Sequence, residues 1–256
     1  MLFSNLIQSN LKTSTLGSKI EYYPRLNSTN EEAWELIENN EIKVGEIIVT
    51  DNQFEGKGRR GDKWKSSPGK SITFSLITNF RIDPKISGWI PLISGISVQK
   101  ALLKFKIKTS LKWPNDIILN GKKLGGILCE SKNTNQNIQY TVIGIGINVN
   151  DNLDDLQKIG IAKSTSTFIE TEKYLQRERV IAEILNEAEP LLEEFPKHIS
   201  QIKKMWESSC CHMNKEIKFH KDEKVIDGKF LKLNDFGAAI LNTKNGDTEF
   251  YSGKII

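Results

Sequence analysis

Apolar residues return every three or four positions in four stretches of the chain. In the segments between them they run together or alternate, and this change of period predicts the order of elements. Thr29–Asn39 carries a stripe of Ala33, Trp34, Leu36 and Ile37, which predicts a helix with Ser28 or Thr29 as its N-cap. Glu31 and Glu32 fall in its first turn, where the helix dipole favours negative charge. Gly88–Phe105 is apolar at the same spacing with no proline after Pro91, Arg177–Phe195 is amphipathic up to Pro196, and a further helical stretch reaches Ser208. Between these helices, Glu46–Thr50, Ser71–Thr78, Thr109–Trp113, Asp116–Leu119, Leu124–Ser131 and Gln139–Asn148 read as strands. Asn120-Gly121 supplies the left-handed pair that a two-residue hairpin turn needs. Residues 1–27 show no period and are expected to be irregular.

After Cys211 the texture changes. Glu216–Phe219, Lys224–Leu233, Ala238–Asn242 and Thr248–Tyr251 are short alternating strands separated by Asn234–Gly237 and Asn245-Gly246, which predicts a small β-barrel. The expected organisation is a large domain over residues 1–211 and a small one over 212–256.

Length and composition agree with this division. At 256 residues with 38% hydrophobic side chains, the chain can bury a core and is too apolar and charge-balanced to be disordered. No apolar run approaches the roughly 20 residues that span a bilayer, so no membrane partner is expected. The opening Met-Leu-Phe-Ser-Asn-Leu has no secretory pattern, and Cys129, Cys210 and Cys211 are too few for a disulfide framework. Both features predict reduced thiols and a cytoplasmic location.

Charge adds a location. Between Glu55 and Lys70, six basic residues face two acidic ones, so this sixteen-residue segment carries the whole formal excess of +4. A nucleic-acid binder spreads its positive field over a face; a confined cluster suits a small anion. Within the segment, Gly56-Lys57-Gly58-Arg59-Arg60-Gly61-Asp62-Lys63-Trp64 combines close backbone approach with two planar guanidinium forks matched to phosphate and carboxylate. Like charges in such a loop repel, so it is expected to be mobile until an anion arrives.

Two nucleotide motifs are excluded. Gly69-Lys70-Ser71 has the ending of a P-loop, yet Trp64 stands where the first glycine belongs and a strand pattern follows. Gly144-Ile145-Gly146-Ile147-Asn148-Val149 starts like a dinucleotide fingerprint but ends in valine. It reads as a strand whose glycines admit some other group. A second constellation is Lys112-Trp113-Pro114-Asn115-Asp116 followed by Lys122-Lys123-Leu124-Gly125-Gly126-Ile127-Leu128. Here the proline is expected to place Asn115 and Asp116 in a turn, where carboxylate and amide suit a hydrated Mg²⁺ or a polar ligand. Lys123 opens a strand whose glycines leave room for its ammonium. His198, His212 and His220 lie outside every glycine-rich segment, and Cys210-Cys211-His212 lacks chelate spacing, so structural roles are expected for them.

In order along the chain, Ser28-Thr29-Asn30, Gln53 with Gly56–Trp64, Lys112–Asp116, Lys123–Leu128 and Gly144–Asn148 resemble the motifs of biotin–protein ligases. The resemblance implies an α+β fold: a mixed β-sheet backed by helices, like class II aminoacyl-tRNA synthetases and biotin synthetases, followed by an SH3-like barrel. It implies ATP and Mg²⁺ as cofactors, biotin as substrate, biotinyl-5′-AMP as intermediate and a lysine of a biotin carboxyl carrier protein as acceptor. It also admits a homodimer. By motif position it assigns Ser28, Thr29, Asn30 and Gln53 to the biotin ring and ureido group. Lys57, Gly58 and Arg59 fall to the biotin carboxylate and adenylate, and Lys123 to that carboxylate and the α-phosphate. Arg60, Trp64, Asn115 and Asn148 fall to the nucleotide, with Trp64 stacking on adenine. Lys123, Arg59 and Asp116 would carry the chemistry, Asp116 either orienting Mg²⁺ or assisting the incoming amine. Lys57 replaces the family's usual arginine, which keeps the charge and loses the bidentate fork.

Some family members repress transcription through an N-terminal winged helix; only 27 residues precede Ser28, so a ligase without repressor activity or DNA partner is expected. The alternatives are a lipoate or octanoate ligase of the same superfamily, distinguished by its acid substrate, and an RNA-binding protein, distinguished by salt-dependent RNA binding without ATP use.

Overall fold

Two sheets organise the chain, and a computed structural model describes them over residues 1–256 apart from 42, 81, 135, 136, 162 and 223. Among the described residues the helices are α1 Ser4–Gln8, α2 Thr29–Glu38, α3 Trp89–Lys104, α4 Leu153–Lys158, α5 Thr167–Thr171, α6 Arg177–Glu194 and α7 Ile199–Ser209. The larger sheet contains β1 Ile20–Tyr23, β2 Ile47–Thr50, β3 Ile72–Thr78, β4 Ser110–Lys112, β5 Asp116–Leu119, β6 Lys122–Thr134 and β7 Asn137–Ile147. Its order is β1-β2-β3-β7-β6-β5-β4, with β1 parallel to β2 and the remaining pairs antiparallel. The fold is thus α+β with a mixed sheet, as expected.

Alternation along the strands decides which face does what. Ile72, Phe74 and Leu76 of β3, with Ile143, Ile145 and Ile147 of β7, enter the main core with α3 and α6. On the opposite face Ile48, Ile77 and Val142 are covered by Ala33 of α2 and by Leu26. The span 84–104 is long and apolar enough to count as a candidate membrane span, contrary to the expectation that no such stretch exists. Trp89, Ile90, Leu92, Ile93, Ile96, Val98 and Leu102 are buried inside the protein, so the helix is apolar all round because it is a core helix.

Residues 1–27, expected to be irregular, hold α1 and the edge strand β1. Their order comes from long-range carboxylates that no local pattern reveals. Glu189 of α6 accepts the amides of Ser14, Thr15 and Leu16 at 2.6, 2.7 and 2.9 Å. Burial opposes ionisation of this carboxyl, and the three amides override it and hold it below the usual carboxylate range. Asp51 likewise gathers Leu2 N, Tyr22 Oη and Arg177 Nη2 at 3.0, 2.6 and 2.7 Å. The short helices α4 and α5 also lie outside the sequence expectation.

The second sheet is antiparallel, formed by β8 Glu216–Lys221, β9 Lys224–Leu233, β10 Ala239–Thr243, β11 Gly246–Phe250 and β12 Lys254–Ile255 in the order β11-β10-β9-β8-β12. Phe219, Phe230, Leu233, Leu241 and Phe250 fill its inner side. Its core is continuous with that of the larger sheet. Trp113 Nε1 donates to Gly237 O at 3.1 Å and Trp89 Nε1 to Asp235 O at 2.8 Å, while the Trp113 and Phe219 rings lie 5.8 Å apart.

Candidate active site

Strand register builds the floor. Gly144 of β7 stands opposite Ser75 of β3 and Leu128 of β6, and Gly146 stands opposite Thr73 and Gly126. These residues, small apart from Leu128, share the face turned away from the main core, so three neighbouring strands form a trough. Other side chains occupy the space the glycines leave. A Cβ on Gly144 would stand 2.4 Å from Asn30 Oδ1, and one on Gly146 would stand 2.3 Å from Trp64 Cε2. The Gly144-Ile145-Gly146 motif therefore alternates a core isoleucine with two openings for site residues. The resulting cavity has a volume of about 250 Å³.

One end is polar and comes from the start of α2. Ser28, Thr29 and Asn30 are buried on its wall. Ser28 is the N-cap residue in extended conformation, yet its side chain caps nothing. Gln53 caps the helix in its place. Thr29 N donates to Gln53 Oε1 at 2.8 Å, which leaves the Gln53 Nε2 and the Ser28 hydroxyl for the cavity. Asn30 Nδ2 donates to Glu130 Oε2 at 2.7 Å.

The basic segment forms the lid. Its charge predicts mobility when empty; here it is a closed hairpin, with Trp64 N bonded to Gly56 O at 2.8 Å and Gly58 N to Asp62 O at 2.7 Å. Arg60 and Gly61 at its tip have φ of 55° and 79°. Opposite charges offset the repulsion that would open it. Lys57 pairs with Glu31 of α2 at 2.6 Å, and Asp62 with Lys254 of β12 at 3.2 Å. Arg59 Nη1 donates to Asn115 Oδ1 at 3.4 Å. Burial, and then the neighbouring Arg60, lower the Arg59 pKa, while Asp116 opposes them; the guanidinium stays charged regardless.

The remaining wall comes from β5 and β6. Asp116 is the first residue of β5, paired in register with Lys112 and Gly126, so it sits in the ladder rather than in the turn expected for it. The turn ends one residue earlier, because Asn115 bonds back to Ile127 through both its main-chain O and its side-chain Nδ2. Lys123 Nζ lies 2.5 Å from Asp116 Oδ1, above the space left by Gly126. The structure thus brings together Ser28, Thr29, Asn30, Gln53, Lys57, Gly58, Arg59, Arg60, Trp64, Asn115, Asp116 and Lys123 around one cavity.

Asn148 is not on that wall. It is 1% exposed, and its Nδ2 donates to Thr165 O at 2.9 Å, while Thr165 N donates to Lys123 O at 2.9 Å. Asn148 thereby braces the backbone of Lys123 from behind. Burial pushes the Cys129 thiol far up, so it is no nucleophile. Among the described residues no group of three His, Cys, Asp or Glu side chains could hold a metal ion. The Asp116 carboxylate is instead engaged by an ammonium, and any Mg²⁺ site there would need phosphate oxygens to complete it.

Sequence reasoning missed Thr73, Ser75 and the wall residues Gly253, Lys254 and Ile255. The first two left a signal, two hydroxyl residues alternating with Ile72, Phe74 and Leu76. The last three left none, because they reach the cavity only through the packing of the second sheet.

Comparison with known proteins agrees with this geometry. The sequence profile of the Biotin/lipoate A/B protein ligase family matches residues 22–148. The bifunctional ligase/repressor BirA of Bacillus spizizenii is 32% identical over 251 residues, covering 97% of this chain and 77% of that protein. The biotin–[acetyl-CoA-carboxylase] ligase of Paracoccus denitrificans is 30% identical over 128 residues, 49% of this chain and 52% of that protein. Among solved structures, the biotin protein ligase of Aquifex aeolicus in complex with biotin and ATP superimposes with a TM-score of 0.77 at 30% identity, covering 93% of this chain and 98% of that one.

Proposed function

The chain belongs to the biotin–protein ligase family and is a biotin ligase, and from that premise we propose that it joins biotin and ATP into biotinyl-5′-AMP and passes the biotinyl group to one lysine of a biotin carboxyl carrier domain. The observation that carries this reading is the single cavity with a polar, glycine-floored end and a cationic lid. A carboxylate and a triphosphate repel each other, and fixed cations at their meeting point lower the barrier to joining them.

In the first step a biotin carboxylate oxygen attacks the α-phosphorus, and the bond to the β-phosphate oxygen breaks to release pyrophosphate. Ser28, Thr29, Asn30 and Gln53 hold the ring and ureido group; Gly58 lets the lid backbone approach. Lys57, Arg59 and Lys123 face the carboxylate and the α-phosphate. Arg60, Trp64 and Asn115 take the nucleotide, with Asn148 acting through Thr165. In the second step the acceptor amine attacks the biotinyl carbonyl, the acyl–phosphate bond breaks, AMP leaves, and the amine gives up a proton. Asp116, 2.5 Å from the Lys123 ammonium, is placed to draw a second ammonium and take that proton, which favours its assisting role over metal binding. Magnesium delivered with the nucleotide neutralises phosphate charge. Closure of the lid excludes water from the adenylate.

We also read residues 1–211 as the catalytic domain and 212–256 as an SH3-like barrel, since the chain leaves the larger sheet at Cys211, whose N donates to Leu111 O at 3.0 Å. Three free cysteines accord with a cytoplasmic site of action.

The test mixes the protein with biotin, ATP, Mg²⁺ and a carrier domain of acetyl-CoA carboxylase and weighs the product. One biotin mass on one lysine is expected. Turnover with lipoate or octanoate but not biotin would overturn the reading in favour of a lipoate-type ligase.

A further inference from the structure

Ser75 does not line the cavity, yet it stands beneath the polar end. It is fully buried in β3, opposite Gly144. Its Oγ lies 2.7 Å from Thr29 Oγ1 and 2.6 Å from Asn30 Oδ1. A serine hydroxyl has one proton to give, so these two contacts cannot both be donations.

The neighbouring groups settle the direction. The side-chain amide of Asn30 contacts Glu130 Oε2 at 2.7 Å with its other end. A carboxylate only accepts, so that end is the NH₂ group and the end toward Ser75 is the carbonyl oxygen. Ser75 therefore donates to Asn30, and its oxygen accepts the proton of the Thr29 hydroxyl. Gln53 Oε1 accepts Thr29 N at 2.8 Å and lies 3.3 Å from the Thr29 hydroxyl, farther than Ser75 Oγ at 2.7 Å, so the shorter contact takes the hydroxyl proton. The run from Glu130 through Asn30 and Ser75 to Thr29 then has one proton order that satisfies every member. What a ligand meets follows: the Gln53 Nε2 group and the second Asn30 N–H, held otherwise only by a long 3.5 Å contact to Leu128 O, as donors, and the Thr29 oxygen as an acceptor.

We propose that Ser75 is a specificity-determining positioning residue whose single proton sets the donor and acceptor polarity of the polar end of the cavity. Resting on the biotin-ligase reading, the inference says more than that biotin binds there. The site demands a carbonyl oxygen flanked by N–H groups, as in a cyclic urea, and rejects a ligand offering a donor in the carbonyl's place. Without Ser75, Glu130 still holds the NH₂ end of Asn30, but the Asn30 carbonyl loses its donor and the Thr29 hydroxyl loses its acceptor and can turn its proton toward the ligand, which blurs the distinction.

Biotin-dependent ATP–pyrophosphate exchange tests this, comparing biotin with 2-iminobiotin, in which an imino group replaces the ureido carbonyl. Wild type is expected to prefer biotin strongly. Ser75→Ala is expected to raise the KM for biotin about tenfold, the effect of one buried hydrogen bond, leave the KM for ATP unchanged, and narrow the biotin preference by a similar factor. Ser75→Cys keeps the volume with a weaker donor and should fall between the two; it carries the test if Ser75→Ala does not fold. An unchanged preference ratio in the variants, equal rises in both KM values, or a wild type indifferent to the two acids overturns the proposal. Wild type without any biotin-dependent exchange would instead overturn the ligase reading itself.

Discussion

Gly144→Ala puts the trough to a quantitative test. The new methyl would stand 2.4 Å from Asn30 Oδ1, 3.1 Å from its Cγ and 3.3 Å from its Nδ2. An ordinary carbon–oxygen contact needs roughly 3.3 Å or more, so the amide must withdraw by about 1 Å. It is not free to do so, since Ser75 and Glu130 hold its two ends at 2.6 and 2.7 Å. Overpacking of this kind costs about 1–3 kcal/mol, and replacing glycine by alanine in a strand returns about 0.5–1 kcal/mol. The net loss of stability is then at most about 2.5 kcal/mol, which lowers the melting temperature by less than about 10 °C in a chain of this size. The displaced Asn30 removes one ligand donor and shifts its neighbour Thr29, so the affinity for biotin should fall about 10–100-fold, or about 1.4–2.7 kcal/mol. Titration calorimetry with biotin, alongside thermal melting, reads both quantities. Gly95→Ala in α3 is the control: its Cβ would meet Leu111 at 3.4 Å, an ordinary contact, so the fold should hold and biotin affinity should not change. If Gly144→Ala melts like wild type and binds biotin within threefold of it, the trough is not the biotin floor.

Lys123→Ala should cut ATP–pyrophosphate exchange by roughly 10²–10³-fold, as loss of a preorganised charge at a reacting oxyanion does, with melting little changed; normal exchange would remove Lys123 from the first step. Arg59→Gly should release biotinyl-5′-AMP about tenfold faster, measured by filtration of the preformed adenylate, and retention equal to wild type would refute that role. Lys254→Ala breaks an ion pair whose members are 65% and 66% exposed, so stability should move by less than about 0.5 kcal/mol. Adenylate escape should nevertheless rise about two- to fivefold at low salt and converge on wild type near 1 M, where such a pair is screened. Burial, and then Lys112 and Lys215, lower the His212 pKa to about 3. Its folded pKa is below the unfolded value near 6.5, so the stability it leaves intact above pH 6.5 is lost as pH falls toward 3, at up to about 1.4 kcal/mol per unit. Denaturant melts of His212→Gln should show a shallower slope between pH 6 and pH 4.5, and an identical slope would contradict a buried neutral histidine.

The sequence exposed those parts of the fold that local chemistry dictates. Asn120-Gly121 turns the β5–β6 hairpin with φ of 49° and 78°, as that dipeptide alone requires. The four long helices and the ten strands expected from periodicity lie where the apolar spacing placed them, within a few residues. What escaped depends on partners distant in sequence. Residues 14–16 are ordered by Glu189, more than 170 positions away, and no window around them carries that information. Asp116 is expected in a turn because proline breaks strands, but the break is confined to Trp113, Pro114 and Asn115, and β6 recaptures the very next residue. Site residues were legible where glycine, lysine and arginine cluster in sequence. Ser75 left only a hydroxyl alternating with apolar residues, because it lies beneath the site, and Lys254 left nothing, because a separate sheet delivers it.

The lid also shows how a chain can gather cations around a cavity without flying open. Lys57, Lys123 and Lys254 each lie against a carboxylate, those of Glu31, Asp116 and Asp62. Phosphate or carboxylate oxygens of a ligand therefore exchange with existing anions at these three positions, and each contact yields only the difference between two ion pairs. Among the described residues Arg59 meets a neutral amide instead, at 3.4 Å and partly shielded from solvent. An oxyanion reaching Arg59 displaces no opposing charge, and it meets a planar fork in a region of reduced dielectric. The gain in free energy on ligand arrival should therefore concentrate there. This is why removal of Arg59 is expected to loosen the adenylate more than removal of Lys254, although both side chains carry the same formal charge.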